Sequence, residues 1–406
     1  MSTKITSCRM CGSTRLKNEI DLGHMAYTGI FPESKDDRIK EESLKLVSCQ
    51  NGCGLVQLED IFNLEVMYGD NYGYRSGLNK SMVSHLRENI EYAKSRVELE
   101  ENDLIIDIGS NDGTSLNFYD RNLYELVGID PTAKKFKNYY RDDITVISKF
   151  FSENELRNYT HKKAKIITSF SMFYDLPAPL EFSKEVNSII ADNGIWILEQ
   201  SYLPSMIKAL AFDTICHEHL EYYSLKSIIW MADNSNFVLT DFSLNDTNGG
   251  SFRIELRKKS INYKNHSENV LKALKEEESF FEANDVFKKF KSDIDIEIKK
   301  LKKFIDNTKE KKQLVCALGA STKGNVLLQY LNLDQTDVAC IGDVNPYKHG
   351  RFTPKTYIPI VSDEEMIKMN PDYAIVLPWH FKQNIIKNYS DKNFKLVFPL
   401  PKFEII

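Results

Sequence analysis

Long apolar runs are missing from this sequence. In 406 residues its richest stretches are short pieces such as Ile228-Ile-Trp-Met-Ala232, far below the roughly 18 residues that a membrane-spanning helix needs. The opening residues, Met1-Ser-Thr-Lys-Ile-Thr-Ser-Cys8, lack the apolar stretch of a secretory signal. A dominant charge is missing too: 53 Lys and Arg stand against 58 Asp and Glu, for a net charge of -5. That balance excludes a strongly basic nucleic-acid binder and an acidic disordered tail. Together these absences predict a cytoplasmic globular protein with no nucleic-acid and no membrane partner, a monomer or weak homo-oligomer. At roughly 100–200 residues per domain, the length predicts two to four domains.

Cysteine is sparse, seven in all, but four of the seven lie within the first 53 residues. They form two knuckles, Cys8-Arg-Met-Cys11-Gly12 and Cys49-Gln-Asn-Gly-Cys53-Gly54, separated by 37 residues. Thiols stay reduced in a cytosol, so clustered cysteines there point to metal. Two tight turns bearing paired thiolates suit a tetrahedral Zn²⁺ held by Cys8, Cys11, Cys49 and Cys53. A closed set of four ligands leaves no position for substrate, so the zinc is read as structural.

Beyond that segment, strand and helix signals alternate. Leu104-Ile-Ile-Asp-Ile-Gly109 is a buried strand entering a glycine turn, and Leu126-Val-Gly-Ile-Asp130 repeats the pattern 22 residues later. Ile166-Ile-Thr and Gly194-Ile-Trp-Ile-Leu-Glu199 supply further strands, and a second series starts at Gln313-Leu-Val-Cys-Ala-Leu-Gly319. Between the two series, residues 266–312 hold neither Pro nor Gly, and Phe290, Ile294, Ile298 and Leu301 recur at helical steps. The expected architecture is α/β: two Rossmann-like doubly wound domains plus a small N-terminal zinc-binding domain. The expected boundaries are 1–70, 71–265, a linking helical segment over 266–312, and 313–406.

Three motifs could carry chemistry. Asp107-Ile-Gly109-Ser-Asn111-Asp-Gly113-Thr follows a strand; its glycines let a ligand approach the backbone, and Asp130, at the end of the next strand, can accept ribose hydroxyls. The Gly-x-Asn-x-Gly turn lacks the Gly-x-Gly-x-x-Gly spacing, which favours S-adenosylmethionine over NAD. Asp107, Gly109, Asn111, Gly113 and Asp130 are its candidate contacts. Cys216-His217-Glu218-His219 is too dense in ionisable groups for a core, and a histidine suits removal of a proton from carbon beside a carbonyl. Gly319-Ala-Ser321-Thr322-Lys323-Gly-Asn325 offers hydroxyls, a lysine and a helix start that suit a phosphate. Tyr72 or Tyr74, in Asn71-Tyr-Gly-Tyr-Arg-Ser76, could bond a carbonyl oxygen.

These motifs, with Gly249-Gly-Ser-Phe-Arg253, Asp343-Val-Asn-Pro-Tyr-Lys-His-Gly-Arg351 and Pro378-Trp379, resemble the deoxysugar C-methyltransferase family along the whole chain. Known members methylate C3 of dTDP-4-keto-hexoses. The resemblance implies S-adenosylmethionine and a structural Zn²⁺ as cofactors, and a nucleotide-linked 4-keto sugar bound between the two Rossmann-like domains. It implies His219 as general base through an enolate, with Glu218, His217 and Tyr72 or Tyr74 as further catalytic residues. Tyr222, Ser321, Thr322, Lys323, Asn325 and Arg351 are the implied substrate contacts. Family members commonly have Tyr where this chain has Cys216, which keeps an O- or N-methyltransferase as the alternative; a non-catalytic nucleotide-binding scaffold is the second.

Overall fold

The structure, a computed structural model, describes residues 3–62, 74–260, 262–283 and 285–406. The expected boundary at 70/71 and Tyr72 lie outside the described residues.

In the N-terminal segment, β1 (Thr3–Lys4) pairs with β5 (Asp60–Ile61), while β2 (Leu16–Ala26), β3 (Glu41–Cys49) and β4 (Val56–Leu58) form an antiparallel sheet. The central segment holds a parallel run of β6 (Leu104–Ile108), β7 (Glu125–Ile129), β8 (Ile144–Ile147), β9 (Ala164–Phe170) and β10 (Ile190–Ser201). All five residues of β6 are buried, as expected of a strand with helices over both faces. Next come β11 (Glu221–Tyr222), β12 (Phe237–Asn245) and β13 (Ser251–Lys258). Spatially the central sheet runs β12-β13-β10-β9-β6-β7-β8, with β13 antiparallel to both neighbours. The order reverses between β6 and β9, and ligands of such sheets bind outside the carboxyl ends of strands at that switch point.

The two-residue β11 belongs to a different sheet. It pairs with β4, so the order there is β11-β4-β3-β2. The chain just after His219 is therefore an edge of the zinc segment's sheet.

The C-terminal sheet contains β14 (Val315–Leu318), β15 (Ile341–Asp343), β16 (Ile360–Ser362), β17 (Tyr373–Val376), β18 (Lys395–Phe398) and β19 (Glu404–Ile405), ordered β16-β15-β14-β17-β18-β19. Its first five strands are parallel, and again the order reverses beside the first of them. Both large sheets are thus doubly wound.

The segment over 266–312 forms two helices, Glu268–Glu282 and Val286–Glu310, rather than one. The Asp285 carboxylate accepts from the Lys288 amide and starts the second, the role short polar side chains take at helix N-termini. Phe290, Ile294, Ile298, Leu301 and Ile305 of that helix enter one core shared with the β2–β4 sheet and the C-terminal sheet. Cys8, Cys49 and Cys53 pack instead into the central sheet's core, beside Tyr223 and Leu225. Among the described residues no helix is long and apolar enough to cross a membrane.

Candidate active site

The four N-terminal cysteines converge. Cys8 Sγ lies 3.5 Å from Cys53 Sγ and Cys11 Sγ 3.4 Å from Cys49 Sγ, with all four sulfurs within 4.8 Å of one another. Zinc–sulfur bonds of about 2.3 Å at tetrahedral angles put sulfurs about 3.8 Å apart, so the set fits Zn²⁺. A Cβ at Gly52 would stand 2.8 Å from both Cys11 Sγ and Cys49 Sγ, so only glycine lets the second knuckle close. Burial pushes the Cys49 thiol up to about 11, and Cys53 is raised by its contact with Cys8; a central cation reverses both and holds four thiolates. With all positions taken by sulfur, the zinc is structural.

The donor pocket opens at the carboxyl ends of β6, β7 and β9, with a volume near 360 Å³, within the range of small-ligand sites. Gly109 turns the chain with φ of +81, and a Cβ there would come within 2.7 Å of Met172 Cγ. Asp130 at the end of β7 is placed firmly: one carboxylate oxygen accepts from the Thr132 amide and hydroxyl at 2.6 and 2.5 Å, the other from the Asn111 amide at 2.9 Å. Each oxygen keeps acceptor capacity toward ribose hydroxyls. Burial pushes Asp107 up to about 7, while the Thr168 hydroxyl donates to it at 2.5 Å. The pocket's glycine turn, placed acid and volume fit S-adenosylmethionine.

Two predicted donor contacts have other partners. The Asn111 side chain accepts from the Ser76 amide and donates to the Tyr74 carbonyl, so it latches the 74–76 segment over the pocket that Tyr74 helps line. Gly113 faces the ring of Tyr140, 2.6 Å from where its Cβ would be, and stands behind the pocket rather than in it.

The histidine motif divides. His217, 1 % exposed, lies between the rings of Tyr27 and Phe62 at 5.0 and 4.8 Å, with the backbone of Glu42 as its polar neighbour. Burial lowers it to about 3. It packs in the core of the N-terminal segment, whereas the expectation put it in the site beside Glu218 and His219. Glu218 accepts from the Thr28 hydroxyl at 3.1 Å and borders Gly29. His219 faces the opposite way. Its Nδ1 is 3.1 Å from the Thr214 carbonyl oxygen, and its ring lies 4.2 Å from that of Tyr174. A carbonyl only accepts, so Nδ1 carries the proton and Nε2 presents its lone pair. Burial, with Lys323 nearby, lowers His219 to about 3.

The charge that acts on His219 comes from the helix after β14, which carries Lys323. Ser321 caps the helix Thr322–Tyr330, accepting from the Gly324 amide. Lys323 Nζ reaches back to the Asn248 carbonyl at 2.9 Å. Asn325 is fully buried and donates to the Thr28 carbonyl at 2.7 Å; together with Glu218 it holds the Thr28–Gly29 turn. Trp379 Nε1 donates to the fully buried Asp213 at 2.8 Å, and burial pushes Asp213 up to about 6. Of the other predicted substrate contacts, Tyr222 points its hydroxyl at the Thr214 carbonyl, 3.3 Å away, behind His219. Arg351 binds the Phe31 carbonyl and Glu33 of the N-terminal segment.

Sequence reasoning missed Asn248 and His380. The Asn248 amide donates to Ser171 Oγ at 3.4 Å, and Ser171 lines the donor pocket, so Asn248 bridges that pocket and Lys323. The signal was its position just before Gly249-Gly250. His380, next to Trp379, is lowered by burial and by Lys323.

Comparison with known proteins follows the same three parts. A putative zinc binding domain matches residues 8–68, a methyltransferase domain residues 81–241, and a C-methyltransferase C-terminal domain residues 246–401. C-methyltransferase NovU of Streptomyces niveus is 26% identical over 411 aligned residues, covering 99% of this chain and 97% of the relative. Among solved structures, a putative methyltransferase complexed with the Haloferax volcanii Trm112 activator has a TM-score of 0.37 at 14% identity, covering 45% of this chain and 94% of that one. A putative methyltransferase from Bacillus halodurans has a TM-score of 0.35 at 12% identity, covering 43% and 99%. The chain therefore carries the three domain types in order and is similar from end to end to a C-methyltransferase, and it is an S-adenosylmethionine-dependent methyltransferase.

Proposed function

We propose that this enzyme methylates C3 of a nucleotide-linked 4-keto deoxysugar, with His219 as the general base. The observation that carries the reading is convergence from separate stretches: Lys323 bonds Asn248, Asn248 bonds Ser171 of the donor pocket, and His219 packs against Tyr174 three residues past Ser171. In this reading residues 71–265 hold the donor, 313–406 close over the substrate, 266–312 connect them, and 1–70 carry the zinc.

Bound S-adenosylmethionine supplies an electrophilic methyl group. A carbon acceptor must first be made nucleophilic, and a neighbouring ketone allows this by loss of a proton. His219 suits that step. Thr214 fixes its tautomer, and burial keeps its ring uncharged at neutral pH. Lys323 contributes to the depressed basicity, so anionic charge arriving beside this ammonium raises His219 toward a useful range. Tyr174 stacks on the ring and limits its rotation.

The test is incubation with methyl-labelled donor and a set of nucleotide-4-keto sugars. Label on the carbon beside the ketone is expected. Label found only on oxygen or nitrogen overturns the proposal.

A further inference from the structure

Lys323 was expected to bind a phosphate, and its surroundings argue otherwise. It is the second residue of the helix Thr322–Tyr330, but its ammonium leaves the helix start and spends one N–H on the Asn248 carbonyl, 2.9 Å away. Among the described residues it makes no ion pair within 4.0 Å. Asp213 is its nearby negative charge; one oxygen of that carboxylate takes the Trp379 N–H, while the other is buried with no hydrogen-bond partner among the described residues. His380 Nδ1, also near Lys323, is likewise buried and unpartnered among the described residues. His219 packs against Tyr174, three residues past Ser171, and Lys323 bonds Asn248, which itself bonds Ser171, so base and ammonium converge on the same end of the donor pocket.

The charge balance decides between ligands. A diphosphate brings two or more negative charges and would meet Asp213 as well as Lys323. A ketone brings none and develops a single negative charge on its oxygen as the neighbouring carbon loses its proton. One buried cation, partly offset by one carboxylate, matches the second case, because preorganised donors act where charge develops.

We propose that the Lys323 ammonium receives the enolate oxygen, making it a catalytic residue; this rests on the carbon methylation of a keto sugar proposed above. The C3–H bond breaks and the proton goes to His219 Nε2. The electron pair forms the C3–C4 double bond, and the carbonyl π pair moves to the oxygen held by Lys323. When C3 attacks the methyl group, the pair returns to re-form the carbonyl, and the methyl–sulfur bond breaks with its pair on sulfur.

The experiment compares wild type with Lys323→Met in three measurements. These are calorimetric binding of S-adenosylhomocysteine, binding of the free nucleoside diphosphate of whichever keto-sugar nucleotide the wild type methylates, and deuterium exchange at C3 with S-adenosylhomocysteine present. Lys323 does not line the donor pocket, so S-adenosylhomocysteine affinity should hold within about twofold, and nucleoside diphosphate affinity likewise. Exchange and kcat should fall by about 10²-fold or more, the usual cost of one oxyanion donor. Normal exchange in the variant overturns the proposal, and so does weaker nucleoside diphosphate binding with kcat unchanged, which would make Lys323 a phosphate anchor. Should Lys323→Met fail to bind S-adenosylhomocysteine, Lys323→Arg decides: its displaced charge should keep that binding and lower exchange about tenfold, and unchanged exchange refutes the role. A wild type that labels only oxygen or nitrogen defeats carbon methylation itself; a wild type that labels carbon beside a normally exchanging variant defeats the lysine alone.

Discussion

Replacing His219 with Asn isolates the base from the scaffold that holds it. The Asn side-chain amide can donate to the Thr214 carbonyl, as Nδ1 does at 3.1 Å. What disappears is Nε2 and the ring packed 4.2 Å from Tyr174. Such an aromatic contact is worth about 0.5–1.5 kcal/mol, small beside a typical folding stability of about 5–15 kcal/mol, so the variant should fold. His219 does not line the pocket that Gly109 and Asp130 line, and donor affinity should be unchanged. The rate should fall by about 10²–10⁴-fold, the usual loss of a general base, or about 3–5 kcal/mol of barrier. The pH dependence adds a sign. His219 must be neutral to accept a proton, and burial with Lys323 lowers it to about 3 in the free enzyme. The acid limb of kcat/KM assigned to it therefore lies well below the ordinary value near 6.5, with rate lost as pH falls through that limb, and is absent in His219→Asn. Transfer rates over pH 4–9, with exogenous imidazole as a rescue arm, make the measurement. A variant within about threefold of wild type, or a wild-type limb of His219 at 6.5 or above, refutes the assignment; Tyr74 is then the next candidate.

Zinc analysis should return one metal per chain, and Cys53→Ser should lower soluble yield; because β4 pairs with β11 just past His219, chelation should lower kcat along with the melting temperature, and metal-free protein of full activity would sink the structural role. Gly109→Ala places a side chain at φ of +81 and within 2.7 Å of Met172, which should cost about 1–2 kcal/mol of stability from the backbone alone and weaken S-adenosylhomocysteine binding at least about tenfold by calorimetry; unchanged affinity would remove the turn from the donor site. His217→Leu tests a buried imidazole whose folded value is lowered by burial to about 3. Below about 6.5 the unfolded chain binds a proton that the folded chain does not, so wild-type stability is full above 6.5 and declines by up to about 1.4 kcal/mol per pH unit as pH falls toward 3. Denaturant titrations at pH 5 and 8 should show a shallower decline for the variant, with methyl transfer retained; an unchanged pH slope contradicts the assignment.

What the sequence reveals depends on how much of the signal is local. A strand buried on both faces writes its environment into consecutive residues, and Leu104–Ile108 is legible for that reason. The cysteine knuckles are legible because a four-thiolate site needs those residues at short spacing, whatever the surroundings. His217 and His219 show the opposite case. They are two residues apart in irregular chain, with no period to say which turns inward, and only the rings of Tyr27 and Phe62 decide it. β11 is two residues long and acquires its meaning from β4, more than 160 positions earlier. The break between the two helices of 266–312 did carry a local cue, Asp285 three residues before Lys288, masked by the surrounding helical spacing. At Lys323 a helix start rich in hydroxyls suggests phosphate, and no local pattern shows that the side chain carries its charge to Asn248.

Geometry across the segments explains why the fold interlocks rather than stringing its parts along a chain. In the proposed reaction a base and an oxyanion donor must be held to within a fraction of an ångström of one reacting carbon, yet His219 precedes β11 of the N-terminal sheet and Lys323 sits on the helix after β14 of the C-terminal sheet. The N-terminal segment supplies the brace. The Gln329 side chain both accepts from the Ala26 amide at 2.7 Å and donates to its carbonyl at 3.1 Å. Two residues on, Thr28 bonds Asn325 through its carbonyl and Glu218 through its hydroxyl. The Thr28 turn is thereby clamped between the residue beside the base and the helix that carries the ammonium. This geometry predicts that Glu218 acts by position rather than by proton transfer. Glu218→Ala should lower kcat more than it changes donor affinity, because it frees one side of the clamp and leaves the donor pocket intact. Glu218→Gln, whose side-chain carbonyl still accepts from Thr28, should recover most of the rate; an equal loss in both variants would show that the carboxylate takes part in the chemistry.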